Sequence, residues 1–340
     1  MHRLMATTAV LIMAAVGCIQ ADGESGDEVL YPNSGGPPTQ FDAGELDAEP
    51  VSPDASAGPD DWQAPDTGIE PDAGDSPPVD HELTIGSEDR PAAVILPEDY
   101  DPDRSYPAVF LLHSYTMNAS AQDAYFGLSD RVDDRDFILV LPEGTTDASG
   151  QQFWNATDYC CDFYDANPDD VGYFESLLDE LLEETAADPD QVHLAGHSNG
   201  SFFAYRLACE FGDRIDSIAG LAGSGLSSAS SCDDPSGDVS VLHIHGTHDA
   251  VIYYNGVLGA YPSALVVTRR WAKRNDCSTS RSIDDYITLD TLVMGTETER
   301  RSHNSCPDGT DVELWTIYGG SHVPALVDDF PDLLLDFALD

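Results

Sequence analysis

The chain predicts an α/β fold with a mostly parallel central sheet flanked by helices, and three observations carry that expectation. Short apolar runs bounded by turn residues recur along residues 81–340. Segments with apolar residues at helical spacing lie between them. A third sign is an apolar strand that runs directly into a glycine-flanked turn and then a helix, over residues 192–209. Residues 81–340 suffice for one large domain with an ample core.

Taken in order, 92–96, 108–113 and 137–141 read as strands, because each is an apolar run too short for a buried helix. Residues 171–184 read as a helix, with Val171, Phe174, Leu177, Leu178, Leu181 and Leu182 forming one stripe. A strand at 192–195 follows, then a helix through 202–209. Strands at 241–245 and 312–317 and helices at 261–274 and 330–339 complete the alternation.

The turn Gly196-His197-Ser198-Asn199-Gly200 has the form of a nucleophile elbow. A serine hydroxyl is a weak nucleophile at neutral pH, so it must be thrust out of a sharp strand-to-helix bend where a base can reach it. Glycines flank the bend because larger side chains would collide there. The partners expected of such a serine are a histidine base and a carboxylate that orients it, in the chain order Ser, Asp, His. Asp249 follows the strand at 241–245, and His322 lies on the Gly319-Gly320-Ser321 loop after the strand at 312–317. Both loops belong at the strand ends where substrate crevices form. Asp285 and Asp290 are weaker carboxylate candidates, since neither follows a clear central strand.

His113, His197, His243, His245 and His248 are mostly expected to be structural. A dinuclear metal site at His243, His245, His248 and Asp249 does not fit the spacing and leaves Ser198 and His322 unexplained. No metal and no cofactor is expected. His197 is expected to border the substrate, and Trp154, with Tyr159, Tyr253 and Tyr254, is a candidate aromatic wall, although core packing is the commoner fate of such residues.

Residues 1–17 have a charged start and a short apolar run, which reads as a signal peptide. Small residues precede Cys18 in the manner of a lipoprotein box, so Cys18 is expected to be lipidated and to anchor the chain to a membrane. An outer-membrane or cell-surface lipoprotein is expected, with plain secretion as the alternative. Residues 18–80 are rich in Asp, Pro, Gly and Ser and should form a disordered acidic tether. The whole chain carries 63 acidic and 14 basic residues, a formal charge of −49. Such a field repels nucleic acid, so no nucleic-acid partner is expected.

Several pieces occur in colinear order. They are Cys160-Cys161 with Asp169-Asp170-Val171-Gly172, the elbow followed by Ala204-Tyr205-Arg206-Leu207-Ala208-Cys209, His245-Gly246-Thr247-His248-Asp249, and Gly319-Gly320-Ser321-His322. Together they resemble the secreted group of polyhydroxybutyrate depolymerases, feruloyl esterases and acetylxylan esterases. The resemblance spans about residues 82–340 and implies an α/β-hydrolase fold with Ser198, Asp249 and His322 as a catalytic triad. It implies an ester substrate, either a feruloyl or acetyl ester of polysaccharide or a hydroxyalkanoate oligomer. A serine peptidase of the same fold and a non-catalytic surface-binding module are the alternatives. The backbone N–H groups of Tyr115 and Asn199 are the expected oxyanion donors.

Two departures stand out. Ser114 replaces the glycine usual after His113, and Val323-Pro324-Ala325 stands where the group commonly has tryptophan. The resemblance also implies a Cys277–Cys306 disulfide. Cys160, Cys161, Cys209 and Cys232 are left to pair among themselves, with Cys160 and Cys161 expected to bridge elsewhere because a bond between neighbours needs unusual peptide geometry.

Overall fold

A computed structural model of the protein describes residues 82–228, 232, 237–307 and 309–339. The expected signal peptide at 1–17, the tether at 18–80 and Cys18 lie outside the described residues. The described chain begins β1 Glu82–Ser87, β2 Arg90–Ile95, β3 Tyr106–Leu112, α1 Ala119–Phe126, α2 Val132–Arg135, β4 Ile138–Leu141, β5 Thr145–Thr146 and β6 Gln152–Phe153. It continues with α3 Asp170–Glu184, β7 Ala187–His197, α4 Asn199–Glu210, β8 Ser217–Leu221 and β9 Ser240–Gly246. Last come α5 Ala264–Arg274, β10 Arg281–Ile287, β11 Thr298–His303, β12 Val312–Ile317 and α6 Phe330–Leu339.

Among the described residues, ten strands form one sheet in the order β1-β2-β4-β3-β7-β8-β9-β12-β11-β10. The six strands from β4 to β12 run parallel. The outer pairings at both edges are antiparallel. Parallel strands are buried on both faces, and β3 demonstrates how. Ala108, Phe110 and Leu112 enter one core with Phe174 of α3, Phe202 of α4 and Trp271 of α5. Val109 and Leu111 point the other way, into a core shared with Phe126 of α1 and Phe330 and Leu334 of α6. Helices therefore cover both faces. Phe110 meets Phe174 edge-to-face with ring centroids 5.1 Å apart, and truncating such a buried ring to alanine costs about 3–5 kcal/mol. No helix among the described residues is long and apolar enough to cross a membrane.

Local chemistry sets the helix ends. Asn118 accepts from Ala121 N at 2.8 Å to cap α1, and Gly127, at φ 72, ends it in the left-handed region. Asp169 caps α3 through Gly172 N at 3.0 Å.

Among the described residues, three disulfides join Cys160 to Cys161, Cys209 to Cys232 and Cys277 to Cys306. The first corrects the expectation that Cys160 and Cys161 bridge elsewhere. Their shared peptide bond is cis, which brings the Cα atoms to 3.0 Å and puts both sulfurs within bonding reach. That geometry is what made a bond between neighbours look improbable from residue order alone.

Candidate active site

The parallel strands deliver three loops to one edge of the sheet. At the end of β7 the chain turns through Ser198, whose φ of 53° and ψ of −114° lie in a region that L-residues rarely occupy. Tight packing holds the bend. A Cβ on Gly196 would sit 2.6 Å from the Gly200 carbonyl, and a Cβ on Gly200 would sit 2.1 Å from Leu112 O. Glycine at both positions lets α4 start directly against the end of β3. Ser198 N donates to Leu221 O at 2.8 Å, which pins the elbow to β8.

Asp249 and His322 arrive on loops after β9 and β12. These loops are laced together by His248 N to Gly320 O at 2.9 Å and Gly319 N to Thr247 Oγ1 at 2.9 Å. A Cβ on Gly246 would lie 2.2 Å from Gly320 O, so the close approach depends on glycine there. His322 Nε2 lies 2.9 Å from Ser198 Oγ, and His322 Nδ1 lies 2.8 Å from Asp249 Oδ2. The three residues named from the elbow and the loop motifs are thus in one hydrogen-bonded line.

Asp249 is 4% exposed. Its Oδ1 accepts from Val251 N and Ile252 N, each at 2.8 Å. Burial opposes its ionisation, but hydrogen bonds from His245 and His322 outweigh that and hold its carboxyl below the usual carboxylate range. An ionised carboxylate fixed on Nδ1–H leaves Nε2 of a neutral His322 free to accept the serine proton. Asp290, a weaker carboxylate candidate, instead accepts from Ala325 N at 3.1 Å and so steadies the chain just past His322. Asp285 lies on β10 and pairs with Arg300.

Trp154 is corrected from substrate wall to scaffold. It is fully buried and stacks on Phe203 with ring centroids 4.9 Å apart. Its indole N–H donates to His113 O at 3.0 Å, and its backbone exchanges two hydrogen bonds with the Asn199 side chain, at 2.7 and 2.9 Å. Trp154 thereby braces both segments that carry Tyr115 and Asn199. The Asn199 amide also donates to Cys160 Sγ at 3.6 Å, which ties the adjacent-cysteine disulfide to the same brace.

His197 is likewise buried rather than bordering an open surface. Its Nε2 donates to His322 O at 3.0 Å, and burial pushes its imidazole down to about 3, so it stays neutral. The neighbouring Tyr125 donates to Pro324 O at 2.8 Å, a second tie on the His322 loop. Tyr159 and Tyr253 are part-exposed, at 46% and 43%, and the Tyr159 ring packs against Tyr261 with centroids 5.0 Å apart. Tyr254 instead bonds Thr316 from a half-buried position.

Tyr115 lies in the loop after β3, and its backbone N–H has no acceptor among the described residues. Asn199 opens α4, where the first N–H groups have no intrahelical acceptor. His113, before Ser114, accepts from Gly144 N at 2.8 Å and donates to Ser114 O at 2.9 Å. Burial pushes it down to about 4, a structural role. Among the described residues no group of three or more His, Cys, Asp or Glu is arranged to hold a metal ion.

Sequence reasoning missed one feature here. His243 and His245, read only as structural residues or poor metal ligands, stand directly behind Asp249, with His245 Nε2 3.2 Å from Asp249 Oδ2. The signal was present as histidines at i and i+2, which a strand projects from one face.

Residues 85–312 match the family model described as "Putative esterase". The chain is 24% identical over 252 residues to feruloyl esterase D of Neurospora crassa, covering 71% of this chain and 76% of that protein. It is 26% identical over 245 residues to the putative esterase NocK of Nocardia uniformis subsp. tsuyamanensis, covering 68% and 67%. Among solved structures, the acetyl xylan esterase from Aspergillus awamori superposes with a TM-score of 0.56 at 12% identity, over 76% of this chain and 99% of that one. That likeness establishes the α/β-hydrolase fold.

Proposed function

The chain belongs to the "Putative esterase" family and is a carboxylic ester hydrolase, and from that premise we propose a Ser198–His322–Asp249 acyl-enzyme mechanism. The observation that carries it is the pair of hydrogen bonds at 2.9 and 2.8 Å that line up Ser198, His322 and Asp249. Ser198 Oγ attacks the ester carbonyl carbon as its proton passes to His322 Nε2. Asp249 stabilises the resulting imidazolium without itself taking the proton. The C–O bond then breaks, and His322 returns the proton to the departing alkoxide. Water then attacks the acyl carbonyl carbon as one of its protons passes to His322 Nε2. The bond from the acyl carbon to Ser198 Oγ breaks, His322 returns the proton to Ser198 Oγ, and the carboxylic acid leaves. The backbone N–H groups of Tyr115 and Asn199 stabilise the oxyanion in both halves.

The substrate is an ester of extracellular origin: a feruloyl or acetyl ester of polysaccharide, or a hydroxyalkanoate oligomer. The feruloyl esterase relatives support the first of these, as do the exposed rings of Tyr159 and Tyr253. Export through residues 1–17 and lipidation at Cys18 place the enzyme at the outer membrane or cell surface. Three disulfides among the described residues support an oxidising compartment. Membrane fractionation of the native chain beside Cys18→Ser tests the anchor, and an anchor independent of Cys18 would overturn it. Turnover of methyl ferulate, acetylated xylan and hydroxybutyrate oligomers, each with Ser198→Ala alongside, tests substrate and mechanism together. A panel in which none is hydrolysed would reject the substrate class.

A further inference from the structure

We infer that His245, backed by His243 and Tyr205, is a positioning residue for Asp249, supplying an uncharged N–H to the carboxylate oxygen that also holds His322. This rests on the Ser198–His322–Asp249 reading. Period-two alternation along β9 projects His243 and His245 from one face of the sheet, toward Tyr205 of α4. Tyr205 Oη lies 2.8 Å from His243 Nδ1, and His243 Nε2 lies 3.2 Å from His245 Nδ1. His245 Nε2 then lies 2.8 Å from Ile252 O and 3.2 Å from Asp249 Oδ2. None of the three side chains' residues is more than 1% exposed.

Donor and acceptor inventory fixes the direction of every proton. The Ile252 carbonyl can only accept, so His245 Nε2 carries a hydrogen. Neutral His245 presents a lone pair at Nδ1, which His243 meets with its own Nε2–H. His243 then accepts at Nδ1 from the Tyr205 hydroxyl. Each hydrogen has an acceptor. In the opposite direction His245 would be a cation and Tyr205 an acceptor, and the Tyr205 hydroxyl hydrogen would be stranded in the core with no acceptor among the described residues. Burial also drives the His243 imidazole well below its ordinary range, against any charge there.

The catalytic consequence follows from how Asp249 is held. Its Oδ1 is occupied by two backbone N–H groups, and its Oδ2 is shared between His245 and His322. A neutral second donor on Oδ2 fixes the carboxylate's rotation yet leaves its full negative charge for the imidazolium that forms on His322. A cation in that place would divide the charge. An apolar side chain would leave a buried carboxylate oxygen one donor short.

His245→Leu and His245→Gln separate this role from simple core filling. With p-nitrophenyl acetate, His245→Leu is expected to lower kcat about 10-fold, the low end for one lost hydrogen bond to an ionised group because Ile252 O shares that N–H, with KM little changed. His245→Gln keeps an N–H near the Nε2 position and is expected to recover most of kcat. Wild-type kcat in His245→Leu, or a Gln variant no better than Leu, would overturn the inference. Histidine nitrogen NMR of the wild-type protein tests it without any variant: at pH 7 both His243 and His245 are expected as neutral Nε2–H tautomers. An imidazolium at His245, or an Nδ1–H tautomer at either, would equally overturn it. Ser198→Ala keeps the two readings apart. If that variant is active the triad is wrong; if it is inert while His245→Leu is normal, only the role of His245 falls.

Discussion

Gly200→Ala probes how closely the elbow is built against the oxyanion loop. A methyl there would lie 2.1 Å from Leu112 O, 2.6 Å from Leu112 C and 2.7 Å from His113 O. All three are backbone atoms at the end of β3, so no side chain can swing aside. An ordinary C···O approach is about 3.3 Å, so the start of α4 and the end of β3 must part by about 1 Å. Asn199 sits on one side of that contact and Tyr115 two residues beyond the other, so the separation moves the two proposed oxyanion donors apart. Displacement on that scale costs about 100-fold in rate, and the overpacking itself about 1–3 kcal/mol of stability. Steady-state kinetics with p-nitrophenyl acetate, alongside thermal melts of purified protein, measure both. Gly225→Ala is the matched control, because its nearest contacts are Val267 methyls at 3.9 Å, and its stability is expected within about 0.5 kcal/mol of the parent. A folded Gly200→Ala enzyme with parental kcat/KM would refute the argument that this packing sets the oxyanion geometry.

Three further outcomes are expected. Arg90→Met strips a partner from Asp170, which is buried and held by Arg90 Nη1 at 2.7 Å. It should cost about 3 kcal/mol or more by chemical denaturation, partly recovered in the Arg90→Met/Asp170→Asn double variant; additive losses would argue against a coupled pair. His113, His193 and His197 are held neutral by burial, at about 4, 4 and 3. Because the unfolded chain binds their protons first, stability should be full above about pH 6.5 and fall as pH drops toward 4. A melting temperature flat across that window would contradict this. Replacing Cys277 and Cys306 together by serine opens a loop of sequence separation 29 and should lower stability by about 3.5 kcal/mol on the chain-entropy view. Unchanged denaturation midpoints in the double variant would show that the crosslink contributes nothing.

The parts of this fold legible in residue order were those with strong apolar runs and turn chemistry. Strands β3, β4, β7, β9 and β12 and helices α3, α4, α5 and α6 were all anticipated, and the loops bearing Asp249 and His322 were assigned to the correct strand ends. The central strand β8 was not. Its residues Ser-Ile-Ala-Gly-Leu look like a loop, but small side chains are required there: a Cβ on Gly220 would lie 2.3 Å from Ser201 Oγ of α4. The edge strands β10 and β11 were invisible because Arg281–Ile287 is largely exposed and Thr298–His303 is mostly polar, so no apolar alternation marks them. Helix α1 lacks an amphipathic stripe, and what defines it are its ends, capped by Asn118 and by Gly127 in the left-handed region. Trp154 and the Cys160–Cys161 bond were misjudged for a common reason: each depends on tertiary surroundings that no local pattern encodes.

The central claim is that Ser198 is the nucleophile activated by His322. Its most direct test is peptide mapping by mass spectrometry after treatment with a serine-directed phosphonate, in the parent and in His322→Ala. The expected result is one adduct per chain, on Ser198, formed in step with loss of esterase activity and strongly slowed in His322→Ala. Full esterase activity after quantitative modification of Ser198, or inactivation through an adduct elsewhere, would contradict it.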